Sequence, residues 1–451
     1  MKKSAEFGKI DQKSKGEVKL DTIVAVATPV GNGGVAVIRM SGEKAVAIAS
    51  KVFEPWGKNS PKPRHATFGK LSFDDVNDEI LALYFPAPHS FTGEDVVEFQ
   101  IHGGYYLGQT ILGKLIELGG RLAERGEFSK RAVLNGKMDL SQAEGIIDII
   151  EATSKTGLRA SGNLMRGALK SKVETLQNKL TECLCEIDVA LDYPEHDIEY
   201  ITSQKVGEIA KNLIGEIDNV LATSHVGTQI KNGVRVALAG NPNVGKSSLL
   251  NALVGYERAI VTEIAGTTRD TLDASFEFNG VKFNVVDTAG IRTTKDKVEA
   301  VGIERAENEI KQADVVLLVV ENDQDLLSVD NKNVIVVQNK SDLGKTLQTK
   351  PDIIISAKTG QNLEKLKQLI FEKTIDKELL SNELILTNIR HIECLKQARE
   401  KLNLVKDSLD DTLDCIAVLI SAAWNALGEI TGTTANEKIL DEIFSRFCLG
   451  K

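Results

Sequence analysis

Gly240–Asn241–Pro242–Asn243–Val244–Gly245–Lys246–Ser247 reads as a phosphate-binding loop, because the apolar run Val234–Ala239 precedes it as a strand and Ser248–Val254 follows it as a helix. Gly240 and Gly245 let backbone N–H groups curl around phosphate oxygens, where a side chain would collide. Lys246 brings a point charge to the outer phosphates, and the Ser247 hydroxyl suits a magnesium ion. Outward from this loop, each further motif closes a strand of its own. Phe283–Val286 runs into Asp287–Thr288–Ala289–Gly290, where Asp287 can hold magnesium through water and the Gly290 N–H can meet a γ-phosphate. Asn333–Gln338 runs into Asn339–Lys340–Ser341–Asp342, whose carboxylate can accept both N1–H and the exocyclic amine of guanine. Adenine offers no such pair of donors, and a site built on specific hydrogen bonds rejects a base that leaves them unpaired. Ile353–Ile355 runs into Ser356–Ala357–Lys358, which supports the base through backbone N–H. Together the four motifs predict a domain that binds and hydrolyses GTP.

At 451 residues the chain has room for two to four domains with real cores. A net charge of −9 announces no general affinity for nucleic acid, although an acidic chain can carry a local basic face. No apolar stretch is expected to reach the ~18 residues of a membrane span. The lead, residues 1–20, mixes Lys with Glu and Asp and has no Arg, so it reads as a disordered lead rather than a transit or secretory signal. Five cysteines fit a reducing cytosol, and a cytoplasmic location is expected. Cys183 and Cys185 fall on different faces of a predicted helix, and the six histidines show no metal-ligand spacing.

Residues 21–138 alternate short strand-like runs (Thr22–Ala27, Gly34–Met40, Ile80–Phe85, Val96–Ile101) with turns and a helix at Tyr106–Leu118, which predicts an α+β domain. At Asp139 the pattern turns helical. Ser141 and Glu144 have capping-box spacing, and Val173, Leu176, Leu180, Leu184, Ile187 and Leu191 form one face of a long helix that Pro194 stops. Roughly Ser203–Lys231 is a run of helix-compatible sequence, and after Thr374 a helical pattern resumes with Ile389, Ile392, Leu395 and Leu402, then Ile416, Ile420 and Leu427. Neither helical stretch makes a bundle by itself. They are expected to pack together as one helical domain, with an α/β GTPase domain of the Ras-like P-loop type inserted between them. The expected boundaries are 21–138, 139–230, 231–375 and 376–451. Within the insertion, Asn279–Gly280 between Ser275–Phe278 and Val281–Val286 is a two-residue hairpin signal.

In Ras-like proteins a glutamine after the Asp-x-x-Gly motif positions the attacking water. Ile291 stands there and can neither donate nor accept a hydrogen bond. One reading is a slow GTPase that needs an outside activator. The other is that a cation completes the site: Asn243 offers a carbonyl oxygen, and carbonyls of Thr262–Asp270 suit potassium.

Gly266–Thr267–Thr268–Arg269–Asp270, Asp287–Thr288–Ala289–Gly290–Ile291–Arg292, Ser90–Phe91–Thr92–Gly93–Glu94–Asp95 and the terminal Phe447–Cys448–Leu449–Gly450–Lys451 closely resemble the MnmE (TrmE) family of tRNA-modification GTPases. The resemblance runs from about Asp21 to the last residue. It implies GTP contacts from Asn243, Val244, Gly245, Lys246, Ser247 and Ser248, and from Thr262, Glu263, Ile264, Ala265, Gly266, Thr267 and Thr268, beside the motifs above. It implies magnesium at Ser247 and Thr268, potassium at Asn243, Thr262, Ile264 and Thr267, and a water-orienting carboxylate at Glu299. In the N-terminal domain, which is similar to tetrahydrofolate-binding domains, it implies folate contacts from Arg39, Glu98, Lys137 and Lys451. A pterin is read by a carboxylate much as a base is, and a glutamate tail needs cations. The folate, a 5-formyl- or 5,10-methylene-tetrahydrofolate, would supply a one-carbon unit for wobble uridine in tRNA. The implied partners are an MnmG-like flavoprotein in a heterotetramer and a second copy of the chain, joined through the N-terminal domain. Cys448 has little nearby to activate its thiol except Lys451. A ribosome-assembly or RNA-binding switch GTPase without one-carbon chemistry is the alternative, and folate binding discriminates the two.

Overall fold

The computed structural model describes residues 21–29, 31–56, 62–192, 196–255, 274–287, 307–344, 348–448 and 450. They form two compact units, one running to Ala143 and resuming at Ala435, the other Glu144–Thr434. The architecture is mixed, with an α+β N-terminal unit, a helical bundle and an α/β nucleotide-binding sheet.

In the first unit β1 (Ile23–Val26), β2 (Val35–Ser41), α1 (Ala45–Ala49), β3 (Phe53–Pro55), β4 (Thr67–Phe73), β5 (Val76–Phe85), β6 (Val96–His102), α2 (Tyr105–Glu117), β7 (Arg121–Leu122) and α3 (Glu127–Leu134) follow in turn. Seven strands make one sheet in the order β3-β4-β5-β6-β2-β1-β7. Alternate residues Val97, Phe99 and Ile101 of β6 enter the core, against Ile111, Leu112 and Leu115 of α2. Helix α4 (Leu140–Glu151) starts with a capping box two residues earlier than the sequence suggests. Asp139 Oδ1 accepts the Gln142 N–H at 2.9 Å while Gln142 Oε1 accepts the Asp139 N–H at 3.1 Å. Ser141 caps nothing itself and donates to Asp139 Oδ1 at 2.7 Å.

The second unit continues with α5 (Lys155–Met165), α6 (Ala168–Asp192), α7 (His196–Leu221), α8 (Ser224–Asn232), β8 (Val234–Ala239), α9 (Lys246–Val254), β9 (Ala274–Phe278), β10 (Val281–Asp287), β11 (Val315–Val320), β12 (Val334–Gln338), β13 (Ile353–Ile354), α10 (Leu363–Thr374), α11 (Lys377–Leu380), α12 (Ile389–Asp407) and α13 (Leu413–Thr431). Leu176, Leu180 and Ile187 of α6 share one core with Val206, Leu213 and Ile217 of α7, Leu395 and Leu402 of α12, and Ile416, Ile420 and Leu427 of α13. Helices before and after the sheet therefore complete each other. Each such buried side chain contributes about 1.5–3 kcal/mol. Helix α13 is long and apolar enough to cross a membrane by length and composition, contrary to the sequence expectation. Its Ile416, Ile420, Leu427 and Ile430 are consumed in this core. The run Ser203–Lys231 breaks near Thr223, whose hydroxyl donates to the Val220 carbonyl at 2.7 Å and accepts the Leu386 N–H at 3.1 Å. Helix α6 ends at Asp192; Pro194 lies outside the described residues.

The second sheet runs β13-β12-β11-β8-β10-β9, parallel except for β9. Asn279 and Gly280 both have positive φ (51° and 77°), as a two-residue turn matched to strand twist requires. Val234, Val236 and Leu238 bury against one layer and Ala237 and Ala239 against the other, so β8 is apolar on both faces apart from exposed Arg235 near its start.

By its contacts the C-terminal segment belongs to the first compact unit. Helix α14 (Glu437–Ser445) and the tail pack in the first unit. Lys130 Nζ pairs with Asp441 at 2.5 Å. Gly126 (φ +67°) lies so close that a Cβ would stand 2.6 Å from the Phe444 carbonyl oxygen. Phe444 and Phe447, at the end of α14, supply the apolar contact that holds the segment there.

Candidate functional site

The phosphate loop leaves β8 at Gly240 (φ +141°) and enters α9 at Gly245 (φ +97°). Neither position tolerates a side chain. A Cβ on Gly240 would stand 2.3 Å from the Val319 carbonyl oxygen, and one on Gly245 2.3 Å from Asn339 Nδ2. Lys246 is buried, and its Nζ donates to the carbonyls of Gly240 at 2.8 Å and Asn241 at 2.7 Å. The Ser247 hydroxyl meets Asp287 Oδ2 at 3.1 Å, so the loop and the end of β10 bring two hard oxygens together. That donor set fits magnesium.

The guanine motif closes on the same loop from the ends of β12 and β13. Asn339 is buried and bridges: its Nδ2 donates to the Val244 carbonyl at 3.0 Å, and its Oδ1 accepts the Ala357 N–H at 3.0 Å. The Ser356 hydroxyl donates to Asp342 Oδ1 at 2.7 Å and holds that exposed carboxyl below its ordinary value, so it is ionised and ready to accept. Lys358 is exposed beside it. Asn243, Val244, Gly245, Lys246, Ser247 and Ser248 thus sit at one end of the sheet with Asp287, Asn339, Lys340, Asp342, Ser356 and Ala357, as expected where parallel strands end. Thr262, Glu263, Ile264, Ala265, Gly266, Thr267, Thr268, Thr288, Ala289, Gly290, Ile291 and Glu299 lie outside the described residues.

Sequence reading missed two residues here. Asp325, in the turn after β11, accepts the Asn241 Nδ2–H at 3.0 Å and the N–H groups of Glu321 and Asn322 at 2.9 and 3.0 Å. Burial pushes its carboxyl up, but these donors outweigh it and bring the carboxyl below the usual range. Glu321 Oε2 accepts from Lys340 Nζ. The signal was the acidic run Glu321–Asn322–Asp323–Gln324–Asp325 directly after an all-apolar strand.

In the first unit, β2 and β6 place Arg39 opposite Glu98 in register, and Arg39 Nε donates to Glu98 Oε1 at 2.7 Å. The guanidinium lies over the rings of Phe91 and Phe128, 5.7 and 5.6 Å from their centroids, and a second nitrogen reaches the Gly450 carbonyl at 3.5 Å. The loop Ser90–Asp95 is pinned by buried Arg131, which donates to Glu94 at 3.2 Å, and by Asn135, which donates to the Thr92 carbonyl at 2.7 Å. Lys137 Nζ donates to the Pro88 carbonyl at 2.9 Å, next to this loop. Lys451 lies outside the described residues, but Gly450 reaches β1, where a Cβ would stand 2.5 Å from the Val26 carbonyl oxygen. A carboxylate, a guanidinium and aromatic faces in one place can read a flat heterocycle. Among the described residues no group of His, Cys, Asp and Glu is arranged to hold a metal ion.

A family model described as the MnmE helical domain matches residues 140–448, and one described as the GTP-binding protein TrmE N-terminus matches residues 22–137. The chain is 40% identical over 458 residues to the tRNA modification GTPase MnmE of Lactobacillus gasseri, covering 96% of this chain and 99% of that one. It is 40% identical over 452 residues to the protein of the same name from Acholeplasma laidlawii, covering 96% and 100%. Among solved structures, the FeoB G-domain of Methanococcus jannaschii is similar over 32% of this chain and 98% of its own, with 27% identity and a TM-score of 0.23.

Proposed function

The chain belongs to the MnmE family of tRNA-modification GTPases and is a GTP hydrolase, and from that premise we propose how its residues divide the work. The N–H groups of the phosphate loop and Lys246 hold the phosphates. Ser247 and Thr268 hold magnesium. Asp342 reads guanine, with Asn339, Lys340, Ser356, Ala357 and Lys358 around it. Asn243, Thr262, Ile264 and Thr267 hold potassium, and Glu299 orients water in place of the glutamine that Ile291 replaces. Bound there, the two cations neutralise charge on the transferring phosphoryl group. A tetrahydrofolate derivative is held by Arg39, Glu98, Lys137 and Lys451, and its one-carbon unit goes to wobble uridine. An MnmG-like flavoprotein, joined with this chain in a heterotetramer, completes the modification. The N-terminal domain also pairs two copies, and the cytoplasm is the site of action. We keep 21–138, 139–230, 231–375 and 376–451 as functional divisions, with the tail after Ala435 serving the folate site.

The observation that carries this reading is the convergence of Asn339 on Val244 and Ala357, which puts the base-reading and phosphate-holding motifs against each other. The test uses the full chain. Hydrolysis is measured with potassium replacing sodium at constant ionic strength, and 5-formyl-tetrahydrofolate is titrated separately. Steep potassium stimulation and saturable folate binding are expected. A chain that ignores folate but binds ribosomal RNA belongs to the assembly-GTPase reading.

A further inference from the structure

Asn243 and Lys340 carry side chains yet hold left-handed backbone conformations, with φ of 67° and 63°. Asparagine tolerates this better than lysine, and both need support from their surroundings. One tether joins them. Lys340 Nζ donates to the Asn243 carbonyl at 2.9 Å and to Glu321 Oε2 at 2.5 Å. The Glu321 N–H is held in turn by Asp325 Oδ2 at 2.9 Å, and Asp325 Oδ1 accepts the Asn241 side-chain amide at 3.0 Å. The chain of contacts starts in the phosphate loop at Asn241, crosses the end of β11, passes through the guanine motif and returns to the loop at Asn243.

The consequence follows from peptide geometry. Across a planar trans peptide, the C=O of one residue and the N–H of the next point in opposite directions. Pulling the Asn243 carbonyl toward Lys340 aims the Val244 N–H the other way. The bond from Asn339 to the Val244 carbonyl does the same for the Gly245 N–H. Those two N–H groups belong to the nest that would take phosphate oxygens.

We propose that Glu321 and Asp325 are positioning residues of the GTP site: by holding Lys340 and Asn241 they set the phosphate-loop turn at Asn243, the aim of the Val244 N–H, and the main chain that carries the Asn243 amide. The part about the amide rests on the potassium reading above; the part about the N–H groups does not. Glu321 bonds Lys340 and Asp325 bonds Asn241, and they act through these two residues. The carboxylate of Glu321 is mostly shielded, with its side chain 17% exposed, so its bond to the ammonium is stronger than a surface pair.

The experiment uses the full-length chain with Glu321→Gln, Glu321→Asp as a shorter carboxylate, Lys340→Met and the double variant Glu321→Gln/Lys340→Met. Release of fluorescent GDP, the potassium concentration for half-maximal hydrolysis and the melting temperature are measured for each. Glu321→Gln is expected to speed GDP release about three- to tenfold and to raise the potassium requirement by a similar factor, with Glu321→Asp moving the same way. In the Lys340→Met background, Glu321→Gln should add less than about twofold, because the tether is already gone. A merely structural role would lower the melting temperature and multiply in the double variant. Unchanged GDP release in Glu321→Gln, or full multiplication in the double variant, overturns the proposal. If hydrolysis by the unaltered chain ignores potassium, the potassium reading fails by itself and GDP release still judges the tether.

Discussion

The Thr156 N–H donates to the Gly280 carbonyl at 2.9 Å, so the first turn of α5 in the helical bundle is tied to the turn of the β9–β10 hairpin. The same hairpin's second strand ends at Asp287, which meets Ser247 of the phosphate loop. One short strand thus has the nucleotide motifs at one end and the bundle at the other.

Gly280→Ala tests how closely that turn is fitted. At φ +77° a Cβ is strained, and it would stand 2.9 Å from Thr156 Oγ1. The variant should lose about 1–2 kcal/mol of stability, read as a lower denaturant midpoint with an unchanged slope. An unaltered midpoint would mean that the turn relaxes freely and that α5 is not fixed to it.

Acid stability should report on Glu144. Burial pushes this carboxyl up, but the His391 imidazole, bonded to it at 2.6 Å, and the Arg390 guanidinium outweigh burial and hold it at about 2, below its ordinary 4.5. Because the folded value is the depressed one, the stabilisation is complete above about pH 4.5 and drains away as pH falls toward about 2. At about 1.36 kcal/mol per pKa unit the loss is about 3 kcal/mol. Glu144→Gln should remove that acid dependence and cost about 3–5 kcal/mol at neutral pH by stranding its partners. Denaturant unfolding at pH 6, 4 and 3 measures both, and an identical acid slope in the variant would sink the assignment.

Base choice should turn on Asp342. Replacing it with Asn exchanges an acceptor for a donor opposite guanine N1–H and N2–H, so GTP affinity should fall at least about tenfold while xanthine nucleotide gains. Competition binding is the check, and an undiminished preference for GTP would place base recognition elsewhere.

For Glu299→Ala, turnover should drop by about 100-fold or more with GTP affinity nearly intact, the pattern of an interaction made in the transition state. Parallel loss of both would make the residue structural.

The phosphate loop, the guanine motif and the Asn279–Gly280 hairpin were legible because each is set by local backbone demands that only certain residues meet. Strands β3 and β4 were not, since Phe53–Pro55 is too short to show a period and Thr67–Phe73 mixes Lys and Ser with a glycine. The pairing of Glu144 with Arg390 and His391 was invisible for another reason: it spans the whole inserted domain, and only folding brings the partners together. The same spacing made Ser141 and Glu144 look like a cap when Asp139 and Gln142 do that work. The tether through Glu321 was not legible because it ends on the Asn243 main-chain carbonyl and its acidic members lie outside any motif.

The shared core of α6, α7, α12 and α13 has a consequence for synthesis on the ribosome. Helices α6 and α7 emerge with their apolar faces ready, but α12 is not translated until the entire nucleotide-binding sheet has been made. At about 5–20 residues per second, that wait lasts on the order of ten seconds or more. Through it the half-built bundle must be shielded by chaperones or by transient self-contact, while the sheet, whose main core is built from its own strands with α9 and α10, can fold early. Nascent chains arrested before Ile389 should therefore bind holdases through α6 and α7, and release them once α13 has left the exit tunnel.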